Sequence, residues 1–243
     1  MDNDLRDKVL VLTGGGGGIG RAVAEKLAGC HMMIVLLGGR NIEKLEAVRA
    51  KVEKHTRCLV LPGELDDPEF LRRSVETVAE TYGGIDVLVN NAGAAQSTPF
   101  DKISPAEFDR LMAVNVRAPF FLTQAALPYL KRSAAATVVN IASVVAHSGY
   151  PLQSVYSASK HALLGWTKSF ARECYKDGIR VHAISPGGVY TDMVKLSRPD
   201  LSPEGMIMPE EVAEIVHFLL VHRGNAVIDE ILLHRVAKEP FLV

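Results

Sequence analysis

Short apolar runs alternate along the chain with longer segments in which apolar residues recur at helical spacing. Runs of this kind are typical of parallel strands that are buried on both faces and connected by crossover helices. The pattern predicts an α/β fold with one doubly wound, parallel, seven-stranded sheet flanked by helices. The predicted strands are Lys8–Thr13, Met32–Gly38, Arg57–Leu61, Asp86–Asn90, Thr137–Ala142, Arg180–Ile184 and Ala226–Leu232.

The alternation continues without a break, which indicates a single domain over residues 1–243. No Gly/Ser linker, charge block or internal repeat interrupts it, and each helical interval is long enough for a crossover. The least regular stretch lies at about residues 187–209, where Gly, Pro, Ser and Asp follow the sixth strand. Since ligands of open α/β sheets bind beyond the carboxyl ends of the strands, we expect this stretch to form a mobile substrate loop.

The composition excludes several classes of protein. The chain has 243 residues, a formal net charge of −1 and 48% hydrophobic residues, so it has no basic excess that would favour nucleic acid or an anionic membrane. Its three cysteines include no CxxC pair, and no His/Asp/Glu spacing suggests metal ligands, so neither disulfides nor a metal are expected. The polar N-terminus and the lack of an apolar stretch of ~18 residues predict a cytoplasmic protein.

Five consecutive glycines, Gly14–Gly18, follow the first predicted strand and lead through Ile19 and Gly20 into a helical pattern. In this context glycines let the backbone turn sharply and approach a pyrophosphate, whose charge the helix N-terminus stabilises. A flexible turn without a ligand is the alternative, but five glycines carry an entropic cost that a plain turn does not require. The turn therefore predicts a dinucleotide site.

The second predicted strand ends in Gly38-Gly39-Arg40, without the carboxylate that commonly accepts hydrogen bonds from the adenosine ribose. The guanidinium of Arg40 has the charge and the planar geometry to bind a 2′-phosphate, which favours NADP(H) over NAD(H). The alternative is an exposed arginine that begins a surface helix.

Tyr156 and Lys160 are four residues apart in a predicted helix, so their side chains lie on one face. A free phenol has a pKa near 10, and acid/base work near neutrality requires the phenolate to be favoured by about 4 kcal/mol. An ammonium at ~4 Å contributes about that much at an effective dielectric constant near 20. The pair therefore predicts a tyrosine acid/base that is assisted by a lysine.

Several segments together resemble the motifs of the short-chain dehydrogenase/reductase family. They are TGGGGGIG at Thr13–Gly20, NNAG at Asn90–Gly93, Asn115, Ser143, YSASK at Tyr156–Lys160, and Pro186-Gly187 followed by Thr191. The family pattern is matched in order over residues 8–225. The resemblance implies a single-domain Rossmann fold and an oxidoreductase similar to 3-oxoacyl-[acyl-carrier-protein] reductases and to hydroxy-acid or carbonyl reductases.

By this resemblance, the catalytic residues are Asn115, Ser143, Tyr156 and Lys160. Tyr156 protonates the carbonyl oxygen of the substrate while a hydride arrives from the nicotinamide, and Ser143 hydrogen-bonds the same oxygen. Lys160 also holds the nicotinamide ribose hydroxyls, and Asn115 supports a water that connects Lys160 to solvent. When a secondary alcohol is oxidised, the roles reverse.

The resemblance also implies further contacts. Glu64-Leu65 stands where the family often has Asp and an apolar residue that bracket the adenine. Substrate contacts are expected from Gln153 together with Ser143 and Tyr156, whereas His147 is expected to be a loop histidine bonded to backbone or water. The remaining expected cofactor contacts are Thr13, Gly14, Gly18, Ile19, Gly20, Asn91, Ala92, Gly93, Tyr156, Lys160, Pro186, Gly187, Val189 and Thr191.

The C-terminal segment Asp229–Arg235 lacks the Asp-Gly-Gly ending that is common in acyl-carrier-protein reductases, so the chain looks closer to reductases of hydroxy acids and small carbonyls. The apolar helices around Phe120–Leu130 and Val155–Phe170 have outer sides that form a four-helix contact in the family, so a homodimer or homotetramer is expected. A non-catalytic NADP(H)-binding redox sensor is the alternative function. A sugar-nucleotide epimerase would need an additional substrate domain.

Overall fold

The computed structural model describes residues 4–197 and 202–239. Its centre is a seven-stranded parallel sheet, as the sequence predicted, and the strand order is β3-β2-β1-β4-β5-β6-β7. The strands are Val9–Thr13 (β1), Met33–Leu37 (β2), Cys58–Leu61 (β3), Val87–Asn90 (β4), Thr137–Ile141 (β5), Arg180–Pro186 (β6) and Glu230–Leu233 (β7).

Helices cover both faces of the sheet. They are Gly18–Ala28 (α1), Ile42–Val52 (α2), Pro68–Tyr82 (α3), Pro105–Met112 (α4), Ala118–Leu130 (α5), Ser154–Cys174 (α6), Asp192–Ser197 (α7) and Pro209–Val221 (α8). A π-helical turn at Ala113–Arg117 joins α4 to α5, and short 3₁₀ turns lie at Phe100–Lys102, Val144–Ala146 and Tyr175–Asp177. In the two described ranges, no helix has the length and hydropathy needed to cross a bilayer.

The continuous apolar runs form strands because both of their faces are buried. Along β1, Leu10 and Leu12 pack toward α1, α2 and α8, whereas Val9 and Val11 pack toward α3, α5 and the end of α6. All four side chains are at most 3% exposed. This double burial explains why the strands are uniformly apolar rather than alternating.

The predicted boundaries of β1 to β5 agree with the structure to within one residue at each end, but two later predictions need correction. β6 continues to Pro186, and β7 begins at Glu230 rather than at Ala226, because the pairing of the two strands runs from Ala183–Glu230 to Pro186–Leu233. The stretch at 187–209 was predicted as an irregular loop, yet it contains α7 and an isolated bridge between Val189 and Ile207. Residues 198–201 of that stretch lie outside the described ranges.

A buried polar network connects the middle of the sheet to the helices on one face. The Nδ2 of Asn90 donates to Thr123 Oγ1 at 3.0 Å and to Asn140 Oδ1 at 2.8 Å. Asn140 Nδ2 in turn donates to Thr167 Oγ1 at 2.8 Å. The four side chains are at most 3% exposed, so water cannot reach them. Each of these hydrogen bonds therefore satisfies polar groups that would otherwise be buried without a partner. The network fixes α5 and α6 against β4 and β5.

Replacing Thr167 with Val keeps the shape of the side chain and removes the acceptor for Asn140. We expect the free energy of unfolding to fall by about 1–3 kcal/mol, because a buried amide donor loses its partner. Urea denaturation with linear extrapolation measures the change. The matched control is Thr81→Val, because Thr81 makes the same bond to the carbonyl four residues earlier but is exposed. Equal losses in the two variants would contradict the role of the network.

Candidate active site

Three glycines of the turn between β1 and α1 stand where a side chain would be strained or would clash. Gly14 has a φ of 69° and Gly18 a φ of 51°, both in the left-handed region that favours glycine. A Cβ on Gly20 would lie 2.2 Å from the carbonyl oxygen of Gly14, so the helix can begin this close to the turn only with glycine there. Gly17 supplies no side-chain cap, and the first turn of α1 contains no acidic residue. The N–H groups of that turn therefore remain available to an anion.

Thr13 and Asn91 join the ends of β1 and β4. Thr13 Oγ1 accepts hydrogen bonds from the backbone N–H groups of Asn91 and Ala92, each at 3.0 Å. Asn91 Nδ2 donates to the carbonyl oxygens of Thr13 at 2.9 Å and Gly14 at 3.3 Å. Both side chains are thus engaged in fixing the glycine turn against the segment that follows β4.

A cavity of about 380 Å³ opens at the carboxyl ends of the strands. Some residues of its wall were not among the expected site residues. Two of them are Lys44 and Asp192, whose side chains form a 3.1 Å ion pair between α2 and α7. The expected site residues Thr13, Gly20, Arg40, Glu64, Leu65, Asn115 and Gln153 do not line it. Those that do are Gly14, Gly18, Ile19, Asn91, Ala92, Gly93, Ser143, Tyr156, Lys160, Pro186, Gly187, Val189 and Thr191.

Ser143, Tyr156 and Lys160 meet in this cavity from different elements. Ser143 follows the end of β5, and its hydroxyl is hydrogen-bonded to the phenol of Tyr156 in the first turn of α6. Lys160, one turn further along α6, is 4% exposed and donates from Nζ to the carbonyl oxygen of Ile141 at 2.8 Å. Its Nζ lies 5.8 Å from the centre of the Tyr156 ring. The arrangement brings a phenol, a hydroxyl and an amine to one wall.

Burial dominates the electrostatics of these groups. It raises the pKa of Tyr156 above its usual value, and the hydrogen bond with Ser143 opposes that rise. Burial also lowers the pKa of Lys160 to about 8. The sequence argument weighed the charge of the ammonium, which favours the phenolate; burial, which it did not weigh, acts in the opposite direction. Desolvation penalises the charged forms of both side chains, and sequence spacing does not show burial.

Asn115 acts on the backbone rather than on the cavity. It lies in the π-helical turn and is 1% exposed. Its Oδ1 accepts from the N–H of Ala94 at 2.7 Å, and its Nδ2 donates to the Ala94 carbonyl and to Ser159 Oγ, each at 2.9 Å. A Cβ on Gly93 would lie 3.3 Å from Asn115 Oδ1 and 3.7 Å from Lys160 Nζ, so glycine there lets these groups approach.

Arg40 and Glu64 form an ion pair beyond the ends of β2 and β3, with 2.6 Å between Arg40 Nε and Glu64 Oε1. The two side chains are 82% and 50% exposed. The guanidinium holds the pKa of the Glu64 carboxyl below its usual value. Leu65 packs where a Cβ of Gly38 would otherwise lie. Sequence analysis singled out both charged residues but did not foresee their pairing.

Of the residues considered for the substrate side, Ser143 and Tyr156 line the cavity, whereas Gln153 and His147 do not. Gln153 immediately precedes α6, but its side chain makes no capping hydrogen bond. His147 was expected to bond to backbone or water, and instead its Nε2 lies 2.7 Å from Glu230 Oε1 of β7. No group of three or more His, Cys, Asp or Glu side chains within residues 4–197 and 202–239 is arranged to bind a metal ion.

A residue behind the cavity wall was also not predicted by the sequence analysis. Gln96, in the segment after β4, is 3% exposed, and its Oε1 accepts hydrogen bonds from the backbone N–H groups of Val155 at 2.9 Å and Tyr156 at 3.3 Å. Its partners are 59 and 60 residues away in the chain, so no local pattern could have indicated them.

Comparison with known proteins gives consistent matches over most of the chain. The family model for short chain dehydrogenases matches residues 8–202. A 3alpha-hydroxysteroid dehydrogenase of Mediterraneibacter gnavus is 35% identical over 239 residues, which cover 94% of this chain and 95% of that protein. A 3-oxoacyl-[acyl-carrier-protein] reductase of Thermotoga maritima is 33% identical over 245 residues, covering 94% of this chain and 96% of that protein.

Solved structures with the same architecture hold either nicotinamide cofactor. A short chain dehydrogenase from Burkholderia cenocepacia in complex with NADP has a TM-score of 0.86 and 30% identity, covering 95% of this chain and 97% of that one. A short chain dehydrogenase from Mycobacterium paratuberculosis bound to NAD has a TM-score of 0.85 and 26% identity, covering 95% and 97%.

Replacing Lys160 with Met removes a buried amine whose pKa is about 8 in the folded chain and about 10.4 when unfolded. Between these pH values the unfolded chain binds more protons, so the stability of the wild type relative to Lys160→Met should rise with pH. The rise should be about 2 kcal/mol between pH 8 and 10. Denaturation curves at each pH measure it, with the exposed Lys168→Met on the same helix as control. If the stability difference between the wild type and Lys160→Met did not change with pH, the lowered pKa of Lys160 would be contradicted.

Proposed function

The chain belongs to the short-chain dehydrogenase family of oxidoreductases, and we propose that it transfers a hydride between NADP(H) and a carbonyl or secondary alcohol substrate. Tyr156 is the general acid and base of this reaction. The observation that carries the proposal is the meeting of Ser143, Tyr156 and Lys160 in the cavity that also contains the glycine turn.

The residues of the cavity fit a dinucleotide. The uncapped N–H groups at the start of α1 suit a pyrophosphate, and the missing side chains at Gly14 and Gly20 leave room for the close turn that the phosphate needs. Lys160 would hold the nicotinamide ribose, and the segment with Val189 and Thr191 would hold the carboxamide. When bound, the cofactor supplies or accepts the hydride.

The proton chemistry falls to Tyr156. In carbonyl reduction its hydroxyl gives a proton to the substrate oxygen, and in alcohol oxidation its phenolate takes one. Because burial raises the pKa of this phenol, the protonated form that reduction requires is favoured near neutral pH. The Ser143 hydroxyl is bonded to the phenol of Tyr156 and only weakly to the Pro186 carbonyl, at 3.4 Å, so it lies beside the proton donor and can turn to donate to the substrate oxygen. Asn115 supports proton return by fixing the segment beside Lys160.

Small carbonyl compounds and hydroxy acids are the substrate class that we propose. The relatives named above are a hydroxysteroid dehydrogenase and a 3-oxoacyl-[acyl-carrier-protein] reductase, but this chain lacks the Asp-Gly-Gly ending that is common in acyl-carrier-protein reductases. The described part of the segment after β6 contains a single aromatic residue, Tyr190, which offers little flat surface for a steroid.

Association into a homodimer or homotetramer is part of the proposal. Phe120 and Phe121 on α5 are 43% and 40% exposed, which is unusual for side chains of this size. Phe120 packs edge-to-face against Trp166 of α6 with 5.7 Å between ring centres, so the aromatic surface extends over both helices. A second copy of the chain would bury this surface.

Replacing Tyr156 with Phe removes the proton donor and keeps the ring. We expect kcat to fall by about 10²–10⁴-fold while dinucleotide affinity stays within a few-fold of wild type. NADPH oxidation is measured against 3-oxoacyl thioesters, 3-oxo acids, diketones and simple ketones. The exposed Tyr175→Phe is the matched control and should retain full activity.

Undiminished turnover in Tyr156→Phe would remove this mechanism. Tight NADPH binding by the wild type without turnover on the carbonyl panel, or with alcohols and NADP⁺, would instead favour the redox-sensor alternative.

Replacing Arg40 with Gln should reduce the affinity for NADP⁺ about tenfold or more and leave that for NAD⁺ unchanged, since only NADP⁺ carries the 2′-phosphate. Glu64→Gln should raise the affinity for NADP⁺ by a few-fold, because the Glu64 carboxylate competes with the 2′-phosphate for the Arg40 guanidinium. Calorimetric titration with each dinucleotide measures the ratio of the NADP⁺ affinity to the NAD⁺ affinity. Arg49→Gln, which also breaks an exposed Arg–Glu pair, controls for net charge. An unchanged ratio in Arg40→Gln would contradict the NADP preference.

A further inference from the structure

We infer that Gln96 is a positioning residue for Tyr156, an inference that rests on the proposed function of that tyrosine. Its side-chain oxygen binds the first turn of α6 and fixes the backbone from which the phenol projects. No motif of the sequence analysis includes Gln96, and its side chain does not line the cavity.

The first turn of any helix has N–H groups without partners inside the helix. In α6 the side chain of the preceding residue, Gln153, makes no capping bond, although its carbonyl oxygen accepts the Ser157 N–H at 2.7 Å. The N–H groups of Val155 and Tyr156 both bind Gln96 Oε1 instead. The catalytic helix is therefore capped from the segment after β4. Because Oε1 receives two donors, the orientation of the amide is determined by its partners.

The backbone of Tyr156 is held at its carbonyl end as well. Ser159 Oγ donates to the Tyr156 carbonyl oxygen at 2.7 Å and accepts from Asn115 Nδ2 at 2.9 Å. Asn115 also binds both backbone groups of Ala94, two residues before Gln96. The segment that carries Gln96 is thus anchored, and both peptide groups of Tyr156 are fixed by buried side chains.

The amide nitrogen of Gln96 indicates that this residue serves a function beside Tyr156. Gln96 Nε2 is buried and has no hydrogen-bond partner within the described ranges, an arrangement that ordinarily costs about 1–3 kcal/mol. A shorter residue or an apolar one would avoid that cost but would not supply the oxygen at α6. The benefit of glutamine at this position is therefore the acceptor oxygen that it places beside Tyr156.

Three variants of the full chain test the inference. Gln96→Met removes the cap and keeps the length of the side chain. Gln96→Glu keeps an acceptor oxygen for the two N–H groups. Gln124→Met changes an exposed glutamine on α5 and is the matched control. Hydrogen exchange is measured at the amides of Val155 and Tyr156, with Ser157 as internal reference, together with kcat and dinucleotide affinity.

In Gln96→Met we expect exchange at Val155 and Tyr156 to accelerate about tenfold while Ser157 is unchanged. We expect kcat to fall about ten- to a hundredfold at constant dinucleotide affinity, because a small displacement of the phenol is enough to slow proton transfer. Gln96→Glu should restore the protection and most of kcat, and Gln124→Met should alter neither.

Unchanged exchange in Gln96→Met would overturn the inference, as would equal losses of kcat in Gln96→Met and Gln96→Glu. A wild type without turnover would refute the proposed function. The exchange rates would then still decide whether Gln96 holds the turn of Tyr156.

Discussion

The geometry of the site depends on the hydrogen bonds between Thr13 and Asn91, which join the ends of β1 and β4. The chain winds from β1 to β2 and β3 on one side of the sheet and to β4 and the later strands on the other. Connections that leave in opposite directions open a crevice between the ends of β1 and β4. Thr13 and Asn91 close the base of that crevice, which sets the distance from the glycine turn to the segment after β4. Residues on both sides thereby face a common cavity.

Helix α6, which carries Tyr156 and Lys160, is fixed to the sheet at two levels. Lys160 Nζ binds the carbonyl oxygen at the end of β5, and Thr167, about two turns further along α6, binds Asn140 in the same strand. Buried polar contacts of this kind are costly when broken, and they specify one register of helix against strand. The amine of Lys160, for which we propose a role in cofactor binding, thus also contributes to the packing of α6, so that role and the packing cannot be altered independently.

Much of the fold and the candidate site could be predicted from the sequence because the signals are local. Apolar runs indicated the strands, and the spacing of Tyr156 and Lys160 indicated a shared helix face. The start of β7 was not predictable, because its pairing is set by where β6 lies beside it. The Arg40–Glu64 pair depends in the same way on the register of β2 and β3. The spacing of the residues did not show the burial that raises the pKa of Tyr156, and the contacts of Gln96 cross a long stretch of chain.

The uncapped start of α1 has a thermodynamic consequence. A serine or aspartate before α1 would satisfy the free N–H groups and strengthen the helix, and glycine at Gly17 forgoes that stabilisation. A phosphate group from the proposed cofactor would supply the missing bonds, so part of the folding free energy is exchanged for ligand affinity. By mass action, the folded population then rises with the concentration of free dinucleotide.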